Sequence, residues 1–361
     1  MILGRKVCPG LTGILWRGLL LFLAPVAGAF GETGLSAPTR PAEPETRAEA
    51  TPALPVERSP VPGYLALSEV AAAAGLRPAP SAPGRMVLAR DPAPRIEFEA
   101  NSRVIHFNGI RVFLGEPIRT DGGVYRLSRI DYESLIRPLL LPLEGAVPAP
   151  RSLRTIVLDP GHGGRDPGAR SPALGLLEKD MALDVAFRLR SLLTARGYRV
   201  LLTREDDSYV SLERRAALSN RAGADLFVSI HFNAAGSPEV SGTETFLLTP
   251  RHHRSTGQGE TRSGDSELHP GNEYDRWNAL LAFYVQRQLL HDLRTFDRGI
   301  KRARFSVLRE VEAPAVLVEA GYLSNPEEAR RIGSVAYRIQ LARSLADAIG
   351  HFDRTLNQSH D

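Results

Sequence analysis

The chain has 361 residues, 43% hydrophobic and 24% charged, with a formal net charge of +4. These are ordinary globular values, and the length suits two folded units plus extensions. Residues 1–29 hold three basic residues and no acid, so without them the charge falls from +4 to +1. With no Lys/Arg block interleaved with aromatics, that balance argues against a nucleic-acid partner.

Arg5, Lys6 and Arg17 precede the apolar run Gly18 to Val26, and Ala27-Gly28-Ala29 follows. This is the pattern of a secretory signal peptide cleaved after Ala29. The apolar run is too short to anchor comfortably in a bilayer, so no stable membrane insertion is expected after cleavage. The expected location is the periplasm or the exterior. The single cysteine, Cys8, lies inside the leader, so the mature chain has none, and a metal site would have to use His and carboxylates.

Residues 30–62 hold Pro38, Pro41, Pro44, Pro52, Pro55, Pro60 and Pro62 among Ala, Glu, Thr and Arg. Such a segment buries no core and reads as an extended tether. Residues 63–144 read as a small α+β unit. Ser68 and Gly75 bracket a short helix. Strands are expected at 85–89, 95–99, 104–107 and 110–114, with turns at Asn101-Ser102 and Asn108-Gly109. A strand at 125–127 and a helix at 128–136 complete it. In layout this unit resembles the small N-terminal domain of copper amine oxidases. His106 lies among strand residues and is read as structural.

Residues 145–151 form a second, shorter linker. From 152 to 354 strand alternates with helix, leaving 355–361 as a tail. Strands are expected at 155–158, 198–203, 225–230, 243–248, 305–308 and 315–318. Helices are expected at 178–196, from Ser211 to about 221, at 277–293, from Pro326, and at 335–352. The alternation predicts an α/β domain with a mainly parallel twisted sheet covered by helices on both faces.

Four residues stand out. His162 follows the strand Thr155–Leu158 in a glycine-rich turn, and His231 ends the strand that carries Val228-Ser229-Ile230. Glu178 starts a helix, a position the helix dipole alone explains. Glu319 follows the apolar run Val316-Leu317-Val318, where a carboxylate is costly unless it has an ion-pair partner or a task. Two imidazoles and a carboxylate are a common catalytic zinc set. Asp159 reads either as an orienting partner of His162 or as a turn cap. Asn233 reads either as a substrate contact or as a loop holder. Asp166 and Asn325 read as turn and cap residues.

The motifs DPGHGG, DPGA, LLEKD, SIHFNA and LVEAGYLSNPEEA occur in this order between Asp159 and Ala329. In them the chain resembles the zinc-dependent N-acetylmuramoyl-L-alanine amidases of bacterial cell-wall remodelling. The resemblance implies one zinc per chain, held by His162, Glu178 and His231, with Glu319 as the catalytic glutamate. It implies peptidoglycan as the partner, hydrolysis of the amide between N-acetylmuramic acid and L-alanine, and room for an activator protein. Two alternatives stay open. One is a zinc carboxypeptidase of similar fold, with Arg298, Lys301 or Arg302 gripping a terminal carboxylate. The other is a non-catalytic wall-binding module.

Arg251 to Asp275 departs from a minimal member of that family. It is rich in Gly, Ser and charge, and shows no helical apolar period. It is expected to be mobile, with His252, His253 and His269 at the surface.

Overall fold

The computed structural model describes residues 63–141, 143 and 152–358. The expected leader, tether and second linker, and the last three residues, lie outside them. In chain order the elements of the small unit are β1 (Tyr64–Ala66), α1 (Leu67–Ala74), β2 (Arg77–Ala79), β3 (Arg85–Ala89), β4 (Arg95–Glu99), β5 (Val104–Phe107), β6 (Ile110–Phe113), β7 (Arg119–Asp121) and β8 (Val124–Ser128). A helical run follows, made of α2 (Arg129–Asp131), a π turn (Tyr132–Ile136) and α3 (Arg137–Leu140).

The second part contains β9 (Thr155–Pro160), α4 (Glu178–Ala195), β10 (Arg199–Leu202), α5 (Leu212–Arg221), β11 (Leu226–Asn233) and β12 (Thr243–Leu248). Then come α6 (Asp275–Leu293), β13 (Asp297–Ala303), α7 (Ser306–Arg309), β14 (Ala315–Tyr322), α8 (Pro326–Gly333) and α9 (Val335–Gln358). No helix among the described residues is long and apolar enough to cross a membrane.

Eleven strands form one sheet, in the order β10-β9-β11-β14-β12-β13-β6-β5-β4-β3-β2, and β1-β8-β7 form a small second sheet. The strands β10, β9, β11 and β14 are parallel. β12 pairs antiparallel with β14 and parallel with β13, so the sheet is mixed. Alternation along the strands sends side chains to two cores. Ile156, Leu158, Val228 and Ile230 meet α4, α6 and α9. Val157, Phe227 and Leu317 face the other way and pack with Ala216 of α5 and Val307 and Leu308 of α7. Helix α9 shows why its sequence is helical: Leu341, Leu345, Ile349, Phe352 and Leu356 recur at turn spacing and are fully buried. Each such burial contributes roughly 1.5–3 kcal/mol.

Three expectations need correction. The run Phe305–Leu308 is not a strand. Its apolar residues enter the second core from the short helix α7, and the strand is β13, DRGIKRA. β13 lacked an apolar signal because its charges are consumed by neighbours. Lys301 pairs with Glu244, and Arg302 donates to Asp131 (2.7 Å) and Ser134 (2.9 Å). The last helix also runs past Phe352 to Gln358.

The segment 251–275 is docked, not loose. It contains two 3₁₀ turns, Ser263–Ser266 and Pro270–Tyr274. His253, Asp265 and His269 are buried, and only His252 of the three histidines is exposed. Polar contacts replace the missing apolar core. Arg304 pairs with Asp265 at 2.7 Å and donates to the carbonyls of His253 (2.6 Å) and Pro250 (3.1 Å). From the small unit, Arg103 donates to the carbonyls of Ser255 and Gln258.

Asp131 is the junction of the two parts. It is fully buried, accepts from the backbone of Gly115 and Glu116 and from Arg302, and lies 3.0 Å from the His253 ring nitrogen. Gly115 lies so close that a Cβ there would fall 2.1 Å from the His253 ring. Beside this network β6 pairs with β13 at Val112 and Ile300, so the sheet runs without a break through both parts.

Burial alone would raise the Asp131 pKa, but His253, Arg302 and the Gly115 N–H hold it down at about 2, against an ordinary 3.8. The folded value is depressed. Its contribution is therefore complete above about pH 4 and is lost as the pH falls towards 2. Asp131→Asn should lower unfolding stability by about 3–5 kcal/mol at neutral pH, because it strands buried charge. Denaturant unfolding of both proteins should show that gap narrowing below about pH 4. A gap independent of pH would remove the ion network from this role.

Candidate metal-centred active site

Parallel strands bring their carboxyl ends to one edge, and ligands bind there in open α/β sheets. β9, β11 and β14 deliver His162, His231 and Glu319 to that edge, with His231 and Glu319 directly paired in register. Glu178 enters from the first turn of α4.

His162 has φ +62°, unusual for a residue with a side chain. The turn is held by its surroundings. Arg215 donates to the carbonyls of His162 (2.7 Å) and Pro160 (2.8 Å), and Arg204 to those of Pro160 (3.0 Å) and Gly161 (2.7 Å). The imidazole Nδ1 donates to Asp166 at 2.8 Å, which leaves Nε2 facing Glu178 at 3.1 Å. A Cβ on Gly168 would fall 2.5 Å from both Glu178 and His162, so only glycine fits there.

Glu178 is buried and tightly held. Its Oε1 lies 2.8 Å from His231 Nδ1 and accepts from the Phe232 N–H (3.0 Å), and its Oε2 accepts from the Ala169 N–H (2.7 Å). Burial opposes ionisation, yet His162 and His231 hold the carboxyl well below the usual range. Burial also acts against the charged form of His162, and Glu178 and Asp166 overcome it and raise its pKa. His162, Glu178 and His231 each offer one ligand atom, and these atoms lie within 4.8 Å of one another. Pinning His162 through Nδ1 and backing Glu178 with two N–H groups is how proteins orient ligands towards a metal. The donor set fits a catalytic zinc site with room for a further ligand.

Glu319 is treated in the opposite way. Its Oε2 is buried with no hydrogen-bond partner. Burial, then Glu178 and Glu244, push its pKa well above the usual range, and Lys301 only partly opposes them. Glu319, the two histidines and Glu178 all line one open cavity of about 700 Å³. A strongly shifted group in such a place is a proton-transfer candidate.

Asp159 does not touch His162 by any hydrogen bond found. It is buried and accepts from Thr203 (2.6 Å), Arg215 (2.7 Å) and Ser229 (2.8 Å). The orienting contact expected of it belongs to Asp166, whose Oδ1 also closes the turn by accepting from the Gly168 N–H. Asn233 lines the cavity and also bonds within the fold: it donates to Glu244 (2.8 Å), and its Oδ1 accepts from the Ala234 N–H. Asn325 caps α8 by accepting from the N–H groups of Glu327 and Glu328. Arg298 and Lys301 both face the buried Glu244, and Arg302 is committed to Asp131. None is left to grip a terminal carboxylate, which removes the feature that kept the carboxypeptidase alternative open. Arg204 and Arg215 escaped the sequence reading, because an arginine in a helix or loop looks like surface charge. Their signal was indirect: buried Asp159 needed a cation.

The fold is that of an α/β protein whose open cavity carries a cluster able to hold a metal ion. The family model described as N-acetylmuramoyl-L-alanine amidase matches residues 156–351, more than half of the chain. The chain belongs to that family. It is 34% identical over 220 residues to N-acetylmuramoyl-L-alanine amidase AmiC of Neisseria meningitidis, covering 55% of this chain and 53% of that one. It is 31% identical over 217 residues to AmiA of Escherichia coli, covering 54% and 75%. The solved structure of AmiC2 of Nostoc punctiforme aligns with TM-score 0.47 and 32% identity, covering 55% of this chain and 96% of that one. The chain thus spans about half the length of the Neisseria relative.

The Asp159–Arg215 pair has a measurable consequence. Arg215→Met keeps the volume but leaves Asp159 buried without its cation. A loss of about 3–5 kcal/mol is expected in denaturant unfolding. A loss below about 1 kcal/mol would show that Thr203 and Ser229 suffice to hold the carboxylate.

Proposed function

We propose that this chain hydrolyses the amide between the lactyl group of N-acetylmuramic acid and the L-alanine of the peptidoglycan stem. The observation that carries the reading is Glu319, whose Oε2 is buried without a partner beside three residues able to hold a metal ion in an open cavity. A purely structural or wall-binding role gives no reason to retain such a costly group.

One zinc ion per chain is proposed, held by His162, Glu178 and His231. When bound, zinc supplies Lewis acidity to an amide carbonyl and to water at neutral pH. The protein supplies the proton handling. Glu319 takes a proton from the water that attacks the carbonyl carbon and gives it to the nitrogen as the C–N bond breaks. The products are the muramic carboxylic acid and the free amine of the peptide. With a cation held by Glu178, that residue's charge would be offset and Glu319 would ionise more readily, so that its one carboxyl could both take and give the proton. The expected leader would direct this activity to the periplasm or the exterior.

Mass spectrometry of digested peptidoglycan should show free stem peptides with an N-terminal alanine. Fragments cut elsewhere in the peptide would overturn the assignment. Glu319→Gln should reduce turnover roughly 10²- to 10⁴-fold and keep its zinc. Glu178→Gln and His231→Ala should lose metal, read directly by elemental analysis. Loss of zinc from Glu319→Gln, with retention in Glu178→Gln, would exchange the two glutamate roles.

A further inference from the structure

We infer that Tyr209 is a platform for the sugar ring on the acyl side of the scissile amide. This rests on the amidase reading. Three large apolar side chains that remain exposed line the cavity: Tyr209 (46%), Leu212 (50%) and Phe305 (37%). Exposing such groups costs solvation, and their convergence on one cavity marks a binding wall.

The strand order places them on opposite sides of the chemistry. Tyr209 follows β10 and packs on Gly164, where a Cβ would fall 2.8 Å from the Tyr209 nitrogen. Next come His162 from β9, His231 from β11 and Glu319 from β14. Phe305 lies beyond, its ring 5.2 Å from Phe246 of β12. Glu319 must reach the departing nitrogen, so the peptide half of the substrate lies on the β14 side. The acyl half, the lactyl ether and its sugar, then extends the other way, past His162 to Tyr209.

A pyranose offers a face of C–H groups, and the π face of an aromatic ring complements it. Tyr209 is prepared for that role. The Arg165 guanidinium sits 4.3 Å from the ring centroid, yet Arg165 itself does not line the cavity. It braces the ring from outside the cavity by a cation–π contact. A tyrosine ring, with two rotatable bonds, loses little entropy when it stacks.

The test uses the zinc-loaded full chain and two soluble substrates, a disaccharide-peptide and a D-lactoyl-peptide that lacks the sugar. Tyr209→Ala should raise KM for the first about tenfold, with kcat within about twofold, and leave the second unchanged. Tyr209→Phe should behave as wild type, and Arg165→Ala should give a smaller KM rise on the disaccharide-peptide alone. Calorimetry of the disaccharide with the metal-free chain should show the same loss of affinity in Tyr209→Ala without any turnover. An equal effect of Tyr209→Ala on both substrates, or an effect on neither, overturns the platform. If the wild type cleaves neither substrate, the amidase reading fails instead. The disaccharide titration then decides the platform alone, and an unchanged affinity overturns it.

Discussion

The site depends on one buried ion pair. Asp159 and Arg215 are both almost fully removed from water and 2.7 Å apart. A buried pair returns its desolvation cost only if its remaining hydrogen-bonding capacity is filled. Here it is filled by groups that define the site. Thr203, Ser229 and Asp159 tie the ends of neighbouring parallel strands, and Arg215 spends its other donors on the carbonyls of Pro160 and His162. The strained turn that aims His162 is therefore a by-product of satisfying a charge beneath it.

On that foundation two glutamates with the same intrinsic chemistry are pushed apart. Glu178 receives two imidazoles and two backbone N–H groups, so it is held as an anion. Glu319 receives nothing on Oε2 and faces two other carboxylates. Divergent environments around paired titratable groups are how one fold separates a ligand from a proton carrier. The separation follows from strand direction: β14 places Glu319 next to His231, but its backing on the far side is Glu244, already neutralised by Lys301.

Of the four residues brought together at the cavity, three were legible in the sequence because each breaks a local rule, whereas Glu178 sits where the helix dipole alone would place it and stood out only beside the others. A histidine among glycines and a glutamate after an apolar strand have no cheap structural explanation. The parallel part of the sheet was legible for a similar reason, since its strands are continuous apolar runs. Strand β13 was not, because its stability comes from Glu244, Asp131 and the β6 backbone, all distant in sequence. The docked state of 251–275 was hidden by the same effect. Composition predicts apolar burial well, but it cannot show that Arg304, Arg103 and Asp131 wait elsewhere to absorb a polar segment. Asp159 was half legible: its importance showed, but its partner Arg215 lies 56 positions away.

The pairing of β6 with β13 carries a consequence for solubility. A six-stranded sheet ending at β13 would expose an unsatisfied row of peptide groups, bordered by Ile300 and Phe246. Open edges of that kind recruit further strands, from another copy if no other is at hand. In this chain the small unit fills that place with a meander whose outer strand, β2, is only three residues long and carries a proline. The appended unit thus moves the sheet's exposed border away from the enzyme to a strand poorly suited to self-association.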